Sequence, residues 1–327
     1  MNHRKIAELC HVSTSTVSKA LSGSREVSDE VADSIRQVAI ETGYFAEKNK
    51  RKAVNKRKKS ATIAVVCPEI ISIHYSRIVT MIKSFVEERG GRVAVYFYDF
   101  DIEKKADIIE FLSLSKETDG IIILSSSLPY KLIALPVVSF DNINHECKHD
   151  TIGVDLRAVI GDIVDYLYGI GHRRIGFVGE PNTLSKQQRF IEAIVNRNLE
   201  LVPEYIYTIE SRFEGIGSEA AKRIIASENR PTAIVTAYDE IAVSLIYDLE
   251  KAGIRVPEEI SVFGFNDIPL APYISSSLST VRFFYDEQAA LAVDVLYDKI
   301  FGENDDIQHL IVKHELVIRD STAPVSE

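Results

Sequence analysis

The stretch IAELCHVSTSTVSKALSGSREVSDEVADSIRQVAIETGY, from Ile6 to Tyr44, decides the architecture of the amino-terminal end. Its apolar residues recur at helical spacing in three short blocks. In the first, Ile6, Ala7 and Leu9 with Cys10 form an apolar face, and His11-Val12 follows as a tight break. The second begins at Ser13, a residue whose hydroxyl can accept from a backbone N–H of the next turn. Val17, Ala20 and Leu21 then point inward, leaving Thr14, Ser15, Ser18 and Lys19 outward. The third opens on Ser28 as N-cap with Asp29 and Glu30 in its first turn, where the helix dipole favours anions. Val31, Ile35, Val38 and Ala39 form its apolar face and Gly43 ends it. Helices with a short break between the first two predict a helix-turn-helix, whose second helix enters the DNA major groove by its N-terminal residues. Lysine at such a position pairs with guanine O6 and N7, and short hydroxyl side chains let the backbone approach phosphates.

Charge agrees with that reading. The 327-residue chain carries 38 Lys+Arg and 48 Asp+Glu, a net charge of -10. Residues 1 to 60 hold 13 Lys+Arg against 7 Asp+Glu, leaving 25 against 41 for the remainder. A basic head on an acidic body is the electrostatic footprint of nucleic-acid binding confined to one end. From Glu47 to Ser60 the sequence reads EKNKRKAVNKRKKS, with eight Lys+Arg and one Glu. This run reads either as a solvated, flexible linker or as a basic hinge that orders on DNA, and both add phosphate contacts.

The order helix, VS-x-x-TVS-K, loop, VS, helix, GY resembles the DNA-binding head of the lactose-repressor family of bacterial transcription regulators. The resemblance implies that Thr14, Ser15 and Lys19 read bases while Ser13, Thr16 and Ser18 face phosphates. It also implies a hinge helix wedging an apolar side chain into the minor groove, for which Ala53 or Val54 are the candidates. Phe45-Ala46 departs from the Arg-Pro-like residues of the family, and no leucine is present in the linker.

After Ala61 the texture changes. TIAVVC, RVAVYFY, DGIIIL, PVVSFD, RRIGFVG, YIYTI, TAIVTAY and ISVFGF are β-branched or aromatic runs, most of them separated by amphipathic helical stretches such as 75–88, 156–168 and 240–252. That alternation predicts an α/β body of two doubly wound parallel-sheet subdomains with a ligand cleft at the strand C-terminal ends. The domains are then a helix-turn-helix head at 1–45, a basic linker at 46–60 and an effector-binding and dimerisation domain at 61–327. "DTIGVDLRAVIGDIVDYLYGIGHRRIGFVGE", "RPTAIVTAYDE…GFNDIP" and "HELVIRDST" resemble the effector domain of the same family, which is similar to periplasmic sugar-binding proteins.

By that resemblance Tyr75, Ser125, Ser126, Asp141 and Phe213 fall at cleft-lining positions. Lys186 stands where the family has an arginine, with Arg189 one turn on; Tyr238 and Asn266 replace a smaller polar residue and an acid. Asp239 reads as a helix cap rather than a ligand. The expected partners are a pseudo-palindromic double-stranded DNA operator, a small-molecule effector of sugar type and a second copy of the chain, as a homodimer or a dimer of dimers. Lys186 and Arg189 together would suit an anionic group.

Other classes find less support. GxSxG, the GxxxxGK phosphate loop and HExxH are all missing, so an enzyme is not expected. Cys10, Cys67 and Cys147 form no CxxC pair, and His145, Cys147 and His149 in NHECKHD lack a fourth ligand at metal-site spacing, so neither metal nor cofactor is expected. No apolar run is long enough for a signal-peptide core or a membrane span, which predicts a cytoplasmic protein. A cytoplasmic sugar-binding protein without sequence-specific DNA readout is the rival reading of the body alone.

Overall fold

The computed structural model describes residues 3–21, 27, 29–41, 60–124, 135–140, 149–302, 304 and 306–325. Its contacts divide the chain into two units, Met1–Lys59 and Ser60–Glu327.

The first unit contains α1 (His3–Cys10), α2 (Thr14–Leu21) and α3 (Asp29–Glu41). Ile6, Ala7, Val17, Ala20, Ala32, Ile35 and Ala39 form its core, with Cys10, Val12, Val27 and Val38 against it. Two expected core residues lie outside: Leu9 is 47% exposed and Val31 36%, Ala32 taking the inward place. In so small a core, alanines let the three helix backbones approach and leave no room for those larger side chains. His11 makes the turn with φ 53°, and the Val12 N–H donates to the Ala7 carbonyl at 3.0 Å. That bond and the left-handed residue together form a Schellman ending, usually made by glycine.

The second unit is built on two parallel sheets. The first has six described strands: β1 (Thr62–Cys67), β2 (Arg92–Phe97), β3 (Gly120–Ile123), β4 (Val137–Phe140), β5 (Asp150–Gly153) and β11 (His309–Ile311), in the order β11-β5-β4-β3-β1-β2. Alternate residues of β1 enter different cores. Ile63, Val65 and Cys67 join one cluster, while Ala64 and Val66 join another. Helices cover both faces, so this strand is an unbroken apolar run rather than an alternating one. The second sheet has the order β7-β6-β8-β9, from β6 (Ile175–Gly179), β7 (Ile206–Thr208), β8 (Ala233–Thr236) and β9 (Ser261–Phe263).

The helices of the body are α4 (Ile73–Glu88), α5 (Ile102–Leu114), α6 (Leu156–Gly169), α7 (Leu184–Asn196), α8 (Glu214–Ala226), α9 (Asp239–Lys251) and α10 (Tyr285–Ile300). Several start on side-chain caps: Ser72 accepts from the Tyr75 N–H, Asp101 from Glu103 and Lys104, and Asp155 from Ala158.

Two further strands, β10 (Thr280–Phe283) and β12 (His314–Val317), pair antiparallel. They were not anticipated from the sequence. The chain passes between the two halves after β5, after β10 and after β11, since α10 packs against β3, β4, β5 and α4 of the first half while β12 returns to β10 and α6. Among the described residues no helix is long and apolar enough to cross a membrane.

Candidate functional site: an exposed hydroxyl helix and an aromatic cleft

In the first unit the side chains of α2 that avoid the core are the ones singled out above. Ser13, Thr14, Ser15, Ser18 and Lys19 are exposed and Thr16 is half-buried. The Ser13 Oγ accepts from the Thr16 N–H at 3.1 Å and lies 2.7 Å from the Ser15 hydroxyl and 2.8 Å from that of Thr16. Satisfying an orphan N–H in this way fixes the first turn, so the outward hydroxyls are presented on a defined backbone. Ala53 and Val54 lie outside the described residues.

In the second unit a cavity of about 440 Å³ opens between the two sheets, where the strands of both end. Parallel strands place their following loops at one edge, so each strand contributes its next residues to the wall. Ser72, His74 and Tyr75 follow β1, Tyr98 and Phe100 follow β2, Glu180 and Lys186 follow β6, Arg212 and Phe213 follow β7. Tyr238 and Glu240 follow β8, and Phe265 and Asn266 follow β9. Of the expected cleft residues, Tyr75, Lys186, Phe213, Tyr238 and Asn266 line this cavity. Ser125, Ser126 and Asp141 lie outside the described residues. Arg189 is not in the wall: its guanidinium is taken by Glu192, one helical turn away, at 2.7 and 2.8 Å. The expected pairing of Lys186 with Arg189 in one site is therefore not formed.

The wall is held by polar contacts that cross between loops. The Tyr238 hydroxyl accepts from the Phe213 N–H and donates to Glu180 Oε1, both at 3.1 Å, and burial holds its pKa above the ordinary phenol range. Lys186 donates to the Ala237 carbonyl at 2.6 Å and sits 3.8 Å above the Phe265 ring. Burial lowers its pKa to about 8, against the pull of Asp239, Glu240 and Glu180. His74 shares a hydrogen bond of 3.0 Å with the Tyr285 hydroxyl, and burial, reinforced by Lys186 and Arg77, drives its pKa down to about 3.

Arg212 joins the halves. Its guanidinium lies 4.6 Å from the Phe100 centroid and 4.7 Å from that of Phe213, with Glu69 at 3.6 Å and Glu180 at 3.5 Å. Phe100 and Glu69 belong to the first half, Phe213 and Glu180 to the second. Both rings stand on positive-φ backbone, 61° at Phe100 and 55° at Phe213, which costs about 1 to 3 kcal/mol per residue and persists where surrounding contacts enforce it.

Asn266 has φ 109° and is followed by Asp267 at 49°. Two arginines clamp this turn, Arg282 and Arg319 each reaching Asp267 at 2.7 Å. Asp239, at the first position of α9, serves as a tether rather than the cap: its carboxylate accepts from the N–H groups of Phe265 and Ile268 and from the Thr280 hydroxyl. His149 lies 2.8 Å from the Ser139 hydroxyl; His145 and Cys147 are outside the described residues.

Sequence reasoning passed over His74, Phe100, Glu180, Arg212, Glu240 and Tyr285. Their signal was position alone, a polar or aromatic residue one to seven places beyond a strand, as in the Glu after RRIGFVG and the YDF after RVAVYF.

Comparison with known proteins covers both units. The model for bacterial regulatory proteins of the lacI family matches residues 4–47, and that for a periplasmic binding protein-like domain matches 164–322. The transcriptional repressor CytR of Escherichia coli is 27% identical over 329 residues, spanning 98% of this chain and 95% of that protein. The ribose operon repressor of Haemophilus influenzae is 26% identical, spanning 97% of each. A LacI family transcriptional regulator from Lactobacillus casei with bound sucrose superposes with a TM-score of 0.72 at 24% identity, over 80% of this chain and 100% of that one. The regulator CelR in complex with cellobiose gives 0.70 at 20% identity over 98% and 99%. One set of relatives thus resembles this chain from end to end, and the chain joins a helix-turn-helix of the lacI family of bacterial regulatory proteins to a periplasmic binding protein-like domain.

Proposed function

We propose that the protein is a sequence-specific transcription repressor, working in the cytoplasm as a homodimer, whose hold on a pseudo-palindromic operator is set by a sugar or sugar derivative bound in the cleft. The observation that carries this reading is the presence in one chain of a helix with exposed Thr14, Ser15 and Lys19 and a body with an aromatic, hydrogen-bonding cavity. Thr14, Ser15 and Lys19 read bases, while Ser13, Thr16 and Ser18 meet phosphates. Ala53 or Val54 supplies the minor-groove wedge. In the body Tyr75, Phe213 and Tyr238 offer faces and edges to a ligand, and Lys186 and Asn266 offer polar groups. Sucrose and cellobiose in the two similar regulators support a saccharide as the class.

Selection of bound duplexes from a random pool, at a stated salt concentration, tests the reading. A two-fold symmetric motif is the expected result, whereas binding to every duplex alike would retire it in favour of a ligand sensor without sequence readout. Lys19→Ala should cost about 1 to 3 kcal/mol on the selected site and relax its sequence preference, while Lys58→Ala should weaken all duplexes evenly.

A further inference from the structure

Two loops from opposite halves of the body are bent toward one guanidinium. Arg212 follows β7 in the second half; it lines the cavity, yet its side chain is 34% exposed, so it stands where the cavity meets solvent. Ile102, also in the wall and 67% exposed, marks the same edge on the first half. Between β2 and α5 of the first half, Asp99 and Phe100 take positive φ in succession, 52° and 61°, and the Phe100 ring lies 4.6 Å from the guanidinium. In the second half Phe213 takes φ 55° with ψ -130°, and its ring lies 4.7 Å away. Bulky residues adopt such backbone only where neighbouring contacts enforce it. Each loop has support from its own half: the Tyr238 hydroxyl accepts from the Phe213 N–H, and the rings of Tyr75 and Tyr98 flank Phe100. Arg212 is the contact the two loops share.

Charge repeats the arrangement. Arg212 Nη2 faces Glu69 Oε1 of the first half at 3.6 Å, and Nε faces Glu180 Oε1 of the second at 3.5 Å, and both carboxylates are buried. These separations exceed a hydrogen bond, and neither Arg212 Nε nor Glu69 Oε1 has a hydrogen-bond partner. Coulomb attraction falls only as the inverse of distance, so such a pair holds while the gap changes slightly. Lys186 also offsets Glu180, but from the same half. Removing the guanidinium would leave carboxylates of opposite halves without the cation they share, which favours parting.

We propose that Arg212 is a positioning residue for effector binding. It clasps the edge of the cleft, holding the Phe100 loop of one half against the Phe213 loop of the other, and so sets how far the cavity closes. This rests on the cleft being the effector site.

The test uses the full chain with no sugar added and reads amide hydrogen exchange on both sides of the cleft. On the first half the N–H groups of Tyr98, Asp99 and Asp101 are bonded to the carbonyls of Cys67, Pro68 and Tyr98; on the second, those of Gly215 and Ile216 are bonded to Arg212 and Phe213. Arg212→Met keeps a long side chain beside the rings and removes the charge. It is expected to speed exchange by about fivefold or more in both 98–101 and 211–216. Glu69→Gln, made on the first half, keeps an oxygen for the Ile71 and Ser72 N–H groups and is expected to speed exchange across the cleft, in 211–216. This second variant leaves Arg212 in place and decides the matter if the first does not fold. In the double variant the effect should fall short of the sum, because both changes remove the same contact. An arginine of purely local importance would change 211–216 alone in Arg212→Met and leave that segment untouched in Glu69→Gln. Either result, or full additivity, overturns the proposal. A duplex selection that returns no symmetric motif would retire the regulator reading without altering the exchange result.

Discussion

His74 is the residue whose environment has the plainest consequence in solution. In the folded protein it stays neutral down to about pH 3, whereas its unperturbed value is 6.5. Between those values the unfolded chain binds a proton that the native site refuses, so unfolding is favoured as pH falls and stability is fully present only above the unfolded value. The slope approaches about 1.4 kcal/mol per pH unit inside that window. His74→Asn should flatten the acid side of the melting-temperature profile by this contribution while leaving those of His149 and His172, which are also depressed, in place. An unchanged acid limb would mean that the imidazole is reached by water in the native state. Ser13→Ala, by removing the bond to the Thr16 N–H, should lower head stability by about 1 kcal/mol, read by hydrogen exchange in α2. At this scale the sequence revealed residue types better than company. Lys186 and Tyr238 were identified, but the partners that set their behaviour, Ala237, Phe265 and Glu180, come from other strand ends that only the fold brings together.

Between elements, α8 and α9 approach closely at Gly217. A Cβ on Gly217 would meet the Ser244 hydroxyl at 2.1 Å, the Ile241 carbonyl at 2.3 Å and the Leu245 nitrogen at 2.7 Å, and two of those are main-chain atoms that cannot turn aside. Alanine gains about 1 kcal/mol of helix propensity, but overpacking of about 1 to 3 kcal/mol opposes it and the backbone contacts put it toward the upper end. Gly217→Ala should therefore lose roughly 1 to 2 kcal/mol in urea denaturation, with any gain showing that α8 can slide freely. Elements were legible where their own side chains decide them. The β-branched runs of β1, β3 and β8 lie in sheet interiors and read as strands at any distance. By contrast β11 is three residues, His309 to Ile311, pinned by its ladder to β5, and β10 and β12 owe their pairing to the chain's return between halves. No local preference announces such strands, and likewise Leu9 and Val31 followed helical spacing yet were left outside a core too small for them.

For the whole molecule, the division of charge sets how DNA affinity responds to ions. With 13 Lys+Arg against 7 Asp+Glu in the first 60 residues and an acidic remainder, phosphate contacts are confined to one end. The logarithm of affinity for a nonspecific duplex should fall linearly with that of salt, and each lysine of 47–60 changed to glutamine should reduce the slope by about 1 if it touches a phosphate. A slope indifferent to those changes would confine the contacts to the helices. Within the body, three segments run between the halves, and those after β10 and before β12 begin from a shared ladder that pairs Thr280 with Val317 and Phe283 with His314. Sliding one strand past the other by a single residue would break that ladder and turn its side chains to the wrong face, so these two segments leave the second half in a fixed register. The ribbon is thus a two-ply strap: its two crossings are tied at their root, and any change of angle between the halves would be carried by both at once, with a displacement that grows with distance from the strap.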